Sequence, residues 1–405
     1  MHPLKILSLS CVYPNQAEPH CGLFIRARLS AMASLAPLRV MAPVSLGRGV
    51  NGVLRRERDG VLDVLRPPWV YPPGGGCLNP VALAAALVAP LRSLRRTFPF
   101  DLIDAHFGHP DGIAAALLAA VFGCPFSVTL RGSEVEHARY PLRRIGMSWA
   151  LRRAARVVAV SENLHRFALS LGVEPARVRT IPNGVDLNIF HPRDRTGSRA
   201  QFGIPVDVPV IVSAGHLIEL KGHHRIAAAL GDLPASTRLL IAGDSGRGRS
   251  YEPEIRAAAA EAGAAGRVLF LGALPPQRLA ALMCAADVLC LASSREGCPN
   301  VVNEALACGT PVVATAVGGV PERLASGNHG LVVPAGDDRA LAKALGIALH
   351  RKWDRDAVAE WGASRSWNAT GRDVIAFFGD LAIDRHGVRG ELPVHGTALT
   401  QHDTP

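Results

Sequence analysis

Residues 288–319, VLCLASSREGCPNVVNEALACGTPVVATAVGG, decide the fold. VLCLA is a continuous apolar run of strand length, and SREGCPN brings the Gly and Pro that end it. NVVNEALACG has apolar positions at helical spacing and stops on a Gly, and PVVAT is a second apolar run. Two strands apolar throughout, joined by a helix, form a parallel β-α-β unit covered on both faces. The helix opens near Asn300, so its first turn presents unpaired N–H groups to the loop before it.

The same unit repeats in both directions. Strands are expected near 208–214, 237–242, 267–271, 287–291, 311–315 and 330–333, with helices between and after them. Upstream, KILSLSCVY (5–13), LRVMAPV (38–44), DLIDAHF (101–107), PFSVTLRG (125–132), RVVAVS (156–161) and VRTIP (178–182) read as strands. GLFIRARLSAMASL (22–35) and the segments 80–96, 110–122, 141–154 and 162–171 read as helices between them. Residues 45–80 are rich in Gly and Pro and are read as irregular. The α/β alternation predicts two Rossmann-like, doubly wound parallel-sheet domains facing across a cleft. The expected boundaries are 1–190, a linker at 191–206, a second domain at 207–365, a helix at 366–385 crossing back, and a disordered tail at 386–405.

A chain of 405 residues suits two cores better than one. With 48% hydrophobic and 19% charged residues it is no disordered protein, and at 5% aromatic content its cores must be Ala, Val and Leu. The longest apolar stretch, Pro80 to Leu91, is too short to span a bilayer. The N-terminus has a Lys and a short apolar run but no small-residue cleavage site, so it reads as a strand and the chain as cytoplasmic. The eight Cys lie singly, without a C-x-x-C or a His at ligand spacing, which argues for reduced thiols and against a zinc site. All of the +10 net charge falls in residues 1–190, which hold 22 Lys and Arg against 12 Asp and Glu. Such a half attracts anions, whether phosphates or lipid headgroups. No aromatic residues interleave the Arg pairs, so nucleic acid is not the expected partner. PLRRIGMSWALRRAARVV (141–158) sets Arg143, Arg144, Arg152, Arg153 and Arg156 around Leu142, Ile145 and Trp149, a pattern suited to an anionic membrane surface or to an ordinary packed helix with a cationic face.

Glu296 in the loop and Glu304 inside the helix are the carboxylates of the deciding stretch. A loop carboxylate can accept hydrogen bonds from sugar hydroxyls, and a helical one can grip a ribose diol. By itself E-x7-E occurs often by chance, but its surroundings are specific. The segment from Glu296 to Gly319 resembles the family 4 retaining glycosyltransferases of GT-B fold. VSAGHLIELKG (212–222), LLIAGD (239–244) and FLGALPPQRLAALMCAADVLCLASSREG (270–297) follow the family's motifs and spacing. In the first half YPNQAEPHCGLFIRARL, DAHFGHPDG, TLRGSEV, VAVSENL and IPNGVDLNIFHP are similar to a branch associated with bacterial surface polysaccharides.

The resemblance implies a nucleotide-sugar donor, UDP- or GDP-linked, and a saccharide or lipid-linked acceptor. It implies no metal, no cofactor and a front-face displacement without a covalent intermediate. Lys221 matches the diphosphate-binding Lys, and Glu296 the carboxylate that orients the sugar. Gly22, Gly243, Leu274, Gly297, Asn300, Val301 and Glu304 match donor-contacting positions. His106 matches a residue lining the active site. His109 is either an acceptor contact or a loop residue.

The chain departs from the family at several places. His216 stands where a second cation, Arg, is usual, and protonation by the bound diphosphate would restore the charge. Arg131 replaces a His near the reacting sugar; a guanidinium cannot serve as a base, so charge stabilisation or binding of an acceptor phosphate is expected. Glu134 stands where Asp is commoner, with a loop-orienting role. Cys21-Gly22 replaces a pair of glycines.

Two other enzyme classes compete. A nucleotide-sugar 2-epimerase would share the fold, but the NGVD and E-G-x-P-N contexts favour transfer. A dehydrogenase would need a G-x-G-x-x-G after the first strand, which is missing.

Overall fold

The computed structural model describes residues 3–46, 53, 55–71, 76–246, 248–379 and 381. The first sheet has eight strands. From one edge they are Val178–Thr180, Arg156–Ala159, Phe126–Leu130, Leu102–His106, Ile6–Leu9, Leu38–Met41, Leu62–Leu65 and Arg56–Asp59. All neighbours pair in parallel except the last two, which form a hairpin. The second sheet orders Val268–Phe270, Arg238–Ala242, Val210–Ala214, Val288–Leu291, Val312–Thr315 and Gly330–Val333, all parallel.

Central strands such as Phe126–Leu130 and Val210–Ala214 are buried at every residue, as sheets clad with helices on both faces require. In each sheet the strand order reverses beside the first strand of its domain, and the carboxyl ends there open onto the space between the domains. The hydrophobic cores stay within their own sheet-and-helix layers, Leu7, Ile103 and Val128 in one and Val212, Leu240 and Leu289 in another.

The chain crosses between the domains twice. Val185 bridges to Ser366, and the helix Trp367–Gly379 then packs on Leu23–Ala33, burying Val374 and Phe378 against Ile25 and Leu29. Residues 386–405 lie outside the described residues.

One expectation is corrected. Residues 45–80 are not irregular throughout: Arg56–Asp59 and Leu62–Leu65 form an antiparallel hairpin around Gly60, whose φ is 59°. Leu62 and Val64 point into the core while Arg56 and Asp63 pair outside, so a two-residue alternation hid among charges. Val44–Ser45 also pairs with Pro68–Trp69.

Candidate active site

A cavity of about 1080 Å³ separates the carboxyl edges of the two sheets. The helix Leu23–Ala33 and its preceding loop supply one wall, through His20, Phe24, Arg26 and Ser30. Strand ends of the second sheet and the helix Asn300–Ala307 supply the other, through His216, Lys221, Asp244, Leu274 and Glu304.

Lys221 ends the turn Glu219–Lys221, just beyond the strand Val210–Ala214. Its Nζ donates to Glu296 Oε1 at 2.6 Å, and Ser293 Oγ donates to the same oxygen at 2.7 Å. The Glu296 side chain is only 10% exposed, so the loop holds a carboxylate whose partner can be lent to an incoming anion. Asn300 and Val301 occupy the first turn of the following helix, where free N–H groups favour negative charge.

Glu304 lies one helical step below, with Asn300 and Leu274 beside it in the cavity wall. Burial pushes its carboxyl up to about 7. An ionised carboxylate there can accept from both hydroxyls of a diol, whereas the protonated acid turns one oxygen into a donor. The expected result is a KM for nucleotide-sugar that rises as pH falls through about 7, with the dependence flattened in Glu304→Gln. A wild-type KM constant from pH 6 to 8 would remove Glu304 from the donor site. Gly243 sits where a side chain would overlap the Gly215 carbonyl oxygen, so backbone lines the cavity there.

His216 stands in the cavity wall with its ring 58% exposed. Its Nδ1 bonds to Asp244 Oδ1 at 3.1 Å, which leaves Nε2 for a ligand.

His106 and Arg131 are placed differently from the expectation. His106 is fully buried, and neither residue is among those forming the cavity wall. Arg131 lies behind that wall, its guanidinium 5.0 Å from the Phe24 ring centre. Arg131 Nη2 donates to His106 Nδ1 at 2.9 Å, so the imidazole carries its proton on Nε2 and donates to Ser8 Oγ at 3.0 Å. Burial, with Arg131 and Arg28 adding repulsion, holds the His106 ring well below its usual range and neutral. In this arrangement His106 has no accessible surface, and its ring is held between Arg131 and Ser8. Burial also brings the Arg131 guanidinium down to about 9, which leaves it a cation at neutral pH.

Asn183 was missed in the sequence. Its Oδ1 accepts from Arg131 Nη1 at 3.2 Å, and its Nδ2 donates to Asn300 Oδ1 at 2.9 Å. It thus ties the buried Arg of one domain to the donor-side helix of the other. The I-P-N-G-V-D motif held it in plain view, yet nothing local marks it as a bridge. Glu134 is buried and accepts backbone N–H groups from Gly108, Arg131 and Gly132 at 2.7–3.2 Å, which shapes the loop carrying Arg131.

Gly297 meets that loop from the opposite domain; a Cβ there would overlap the Arg131 carbonyl oxygen, and a Cβ on Gly132 would press on Gly297. Arg295 pairs with Glu136 beside the contact. Gly22 adopts a left-handed φ of 75° at the start of its helix, against the Val12 carbonyl, so backbone geometry alone demands glycine. His109 is buried, donates from Nε2 to the Gly76 carbonyl at 2.7 Å, and is pushed down to about 4 by burial. It is a loop-holding residue in this arrangement. Among the described residues no His, Cys, Asp and Glu cluster fit for a metal occurs.

The family profile described as Glycosyl transferases group 1 matches residues 194–365, and that of Glycosyltransferase Family 4 matches 45–189. A D-inositol 3-phosphate glycosyltransferase of Acidothermus cellulolyticus is 33% identical over 331 residues, covering 76% of this chain and 73% of that protein. A protein of the same description from Mycobacteroides abscessus is 34% identical over 247 residues, with 60% and 56% covered. The match thus spans little more than half of the latter's length. Among solved structures, a sucrose-phosphate synthase from Thermosynechococcus elongatus aligns with a TM-score of 0.78 at 22% identity, over 94% of this chain and 99% of that one. Anabaena HepE, solved in complex with UDP, aligns with a TM-score of 0.72 at 20% identity, over 93% and 100%. At these identities the structures share the fold alone. Two family profiles that together run through both domains, and a relative one third identical over most of its length, lead to one conclusion: this chain belongs to the family 4 glycosyltransferases of GT-B fold.

Proposed function

We propose that this chain transfers a glycosyl group, with retention, from a nucleoside-diphosphate sugar to a saccharide or lipid-linked acceptor. The observation that carries the reading is the Lys221–Glu296 pair at 2.6 Å, of which Lys221 lines the cavity together with Glu304 of the helix below. Lys221 would turn from Glu296 to the leaving diphosphate and stabilise its growing charge. Glu296, released, would orient the sugar through its hydroxyls. The acceptor hydroxyl then attacks from the leaving-group side, and a departing phosphate oxygen takes its proton. Closure of the domains excludes water from the reacting centre.

The donor is tested by incubating the protein with UDP-, GDP- and ADP-sugars and measuring nucleotide release. UDP-glucose comes first, because HepE has been solved with it. Release of no nucleotide from any donor, with or without an acceptor panel containing inositol 3-phosphate, would overturn the reading. An epimerised donor would replace it with the isomerase.

The acceptor side of the reading includes surface-polysaccharide or glycolipid synthesis at the inner leaflet. Leu142 and Ile145 of the helix Pro141–Leu151 are 66% and 65% exposed, next to Arg143 and Arg144. A hollow of about 360 Å³ beside them is lined by Arg144, Trp149, Arg152 and Arg153. Apolar side chains ringed by Arg suit an anionic bilayer surface. No described helix is long and apolar enough to cross a membrane. Co-sedimentation is expected with vesicles containing phosphatidylglycerol, and to weaken in a Leu142→Asn, Ile145→Asn double variant. Equal recovery with and without anionic lipid would discard this part.

A further inference from the structure

The cavity is short of free positive charge for a site that would receive a diphosphate. Of its permanent cations, Arg26 is ion-paired with Asp59, and Lys221 reaches an anion only by leaving Glu296, which then stands without its counter-charge. Its wall also carries the carboxylates of Asp186, Asp244 and Glu304. A multiply charged anion entering there needs charge from groups able to acquire it. The imidazoles of the wall, His20 and His216, are such groups, and they come from opposite domains.

His20 sits on a built loop. The Cys11 N–H donates to Asp111 Oδ2 at 3.0 Å, Asn15 Oδ1 accepts from the Ala17 and Glu18 N–H groups at 2.9 and 3.0 Å, and the Tyr13 hydroxyl donates to Asp59 Oδ2 at 3.0 Å. The loop runs from the first strand to Gly22, so His20 is carried at the carboxyl edge of the first sheet. Asp244 lies in the cavity wall beside His216. Its carboxyl is held below the ordinary range first by the Gly246 N–H, and also by His216 and His20. His20 and His216 stand in opposite walls of the same cavity, and His216 touches Asp244 at 3.1 Å.

We propose that His20 and His216 together form a two-imidazole grip on the donor diphosphate, replacing the family's single Arg, and that nucleotide binding draws protons onto them. The inference rests on the donor reading above and adds to it a residue of the first domain that touches the leaving group. Each imidazole takes a proton from solvent as the anion enters and returns it when the nucleotide leaves. Because His20 belongs to the opposite wall, full charge stabilisation exists only with the domains together, which couples leaving-group departure to closure.

The test is calorimetric titration of UDP, GDP and ADP into the full-length protein at pH 8, in two buffers of different ionisation enthalpy. At that pH Glu304, pushed up to about 7, is mostly ionised already and contributes little to the proton count. Uptake of about 0.5 to 1 proton per nucleotide is expected. His20→Gln and His216→Gln should each reduce it, and the double variant should abolish it while weakening nucleotide affinity roughly tenfold or more. In His216→Arg the permanent cation should recover affinity with less uptake. Binding without proton uptake, or uptake unchanged in His20→Gln, overturns the grip and leaves the donor reading standing. Binding of no nucleotide at all overturns both.

Discussion

Replacing Lys221 by Ala is expected to lower kcat/KM about 10²–10³-fold while the protein stays folded. The side chain is 21% exposed and lies outside the apolar cores, so its removal opens no core cavity. On the proposed reading, what is lost is the ammonium at the mouth of the second sheet, at the stage when the leaving diphosphate gathers charge. Glu296 would keep only the Ser293 hydroxyl at 2.7 Å as a donor in place of two. Lys221→Arg should restore part of the rate, because a planar fork cannot reproduce a point charge packed along the Gly215 backbone. Steady-state rates with a fixed acceptor, alongside thermal melts, separate catalysis from folding. Near-normal transfer by Lys221→Ala would remove this residue from the diphosphate site.

Gly297→Ala should abolish most transfer by a different route. Gly297 shows no left-handed φ, so alanine is tolerable to its own backbone. The obstacle lies in the other domain, where the new methyl group would overlap the Arg131 carbonyl oxygen. Closure would stop short, and the Arg131–Asn183–Asn300 chain of hydrogen bonds at 3.2 and 2.9 Å would part. A misplacement of about 1 Å can cost on the order of 100-fold in rate. Nucleoside diphosphate affinity should fall less than the rate, since Lys221, Glu304 and Asn300 all remain in the second domain and only the share of His20, from the first, is lost. Solution scattering should report a more open particle in the presence of nucleotide. A variant that transfers at the wild-type rate would show that the Gly132–Gly297 contact is not needed for the reaction.

Parts of the site were legible in the chain and parts were not. Glu296, Asn300 and Glu304 share one loop-helix unit, so their spacing fixes their relation before any tertiary contact forms. Lys221 was legible only through its motif, because a Lys beside a Gly carries no signal of its own. The hairpin at 56–65 escaped because its outward alternation is charged and its inward apolar set is only Leu62 and Val64. His106 looked like a cleft residue, since it ends a strand of the first sheet. Its partners Ser8 and Arg131 come from the strand beside it and the loop after the next one, and they bury it.

The parallel strands of both sheets and the helices between them were legible in the chain, the hairpin at 56–65 apart, because apolar period, strand length and turn residues are properties of a few consecutive positions. The sequence also placed the loop carboxylate and the helical one on a single unit. The contacts across the cleft came from the folded molecule alone: Asn183, itself held by Arg131, with Asn300, and Gly297 with Gly132. The same holds for the Glu304 carboxyl, pushed up to about 7 by burial that distant segments bring about. Contacts between far-separated residues, and the loss of water around them, arise when two separately folded sheets close on each other, and no local pattern records that event.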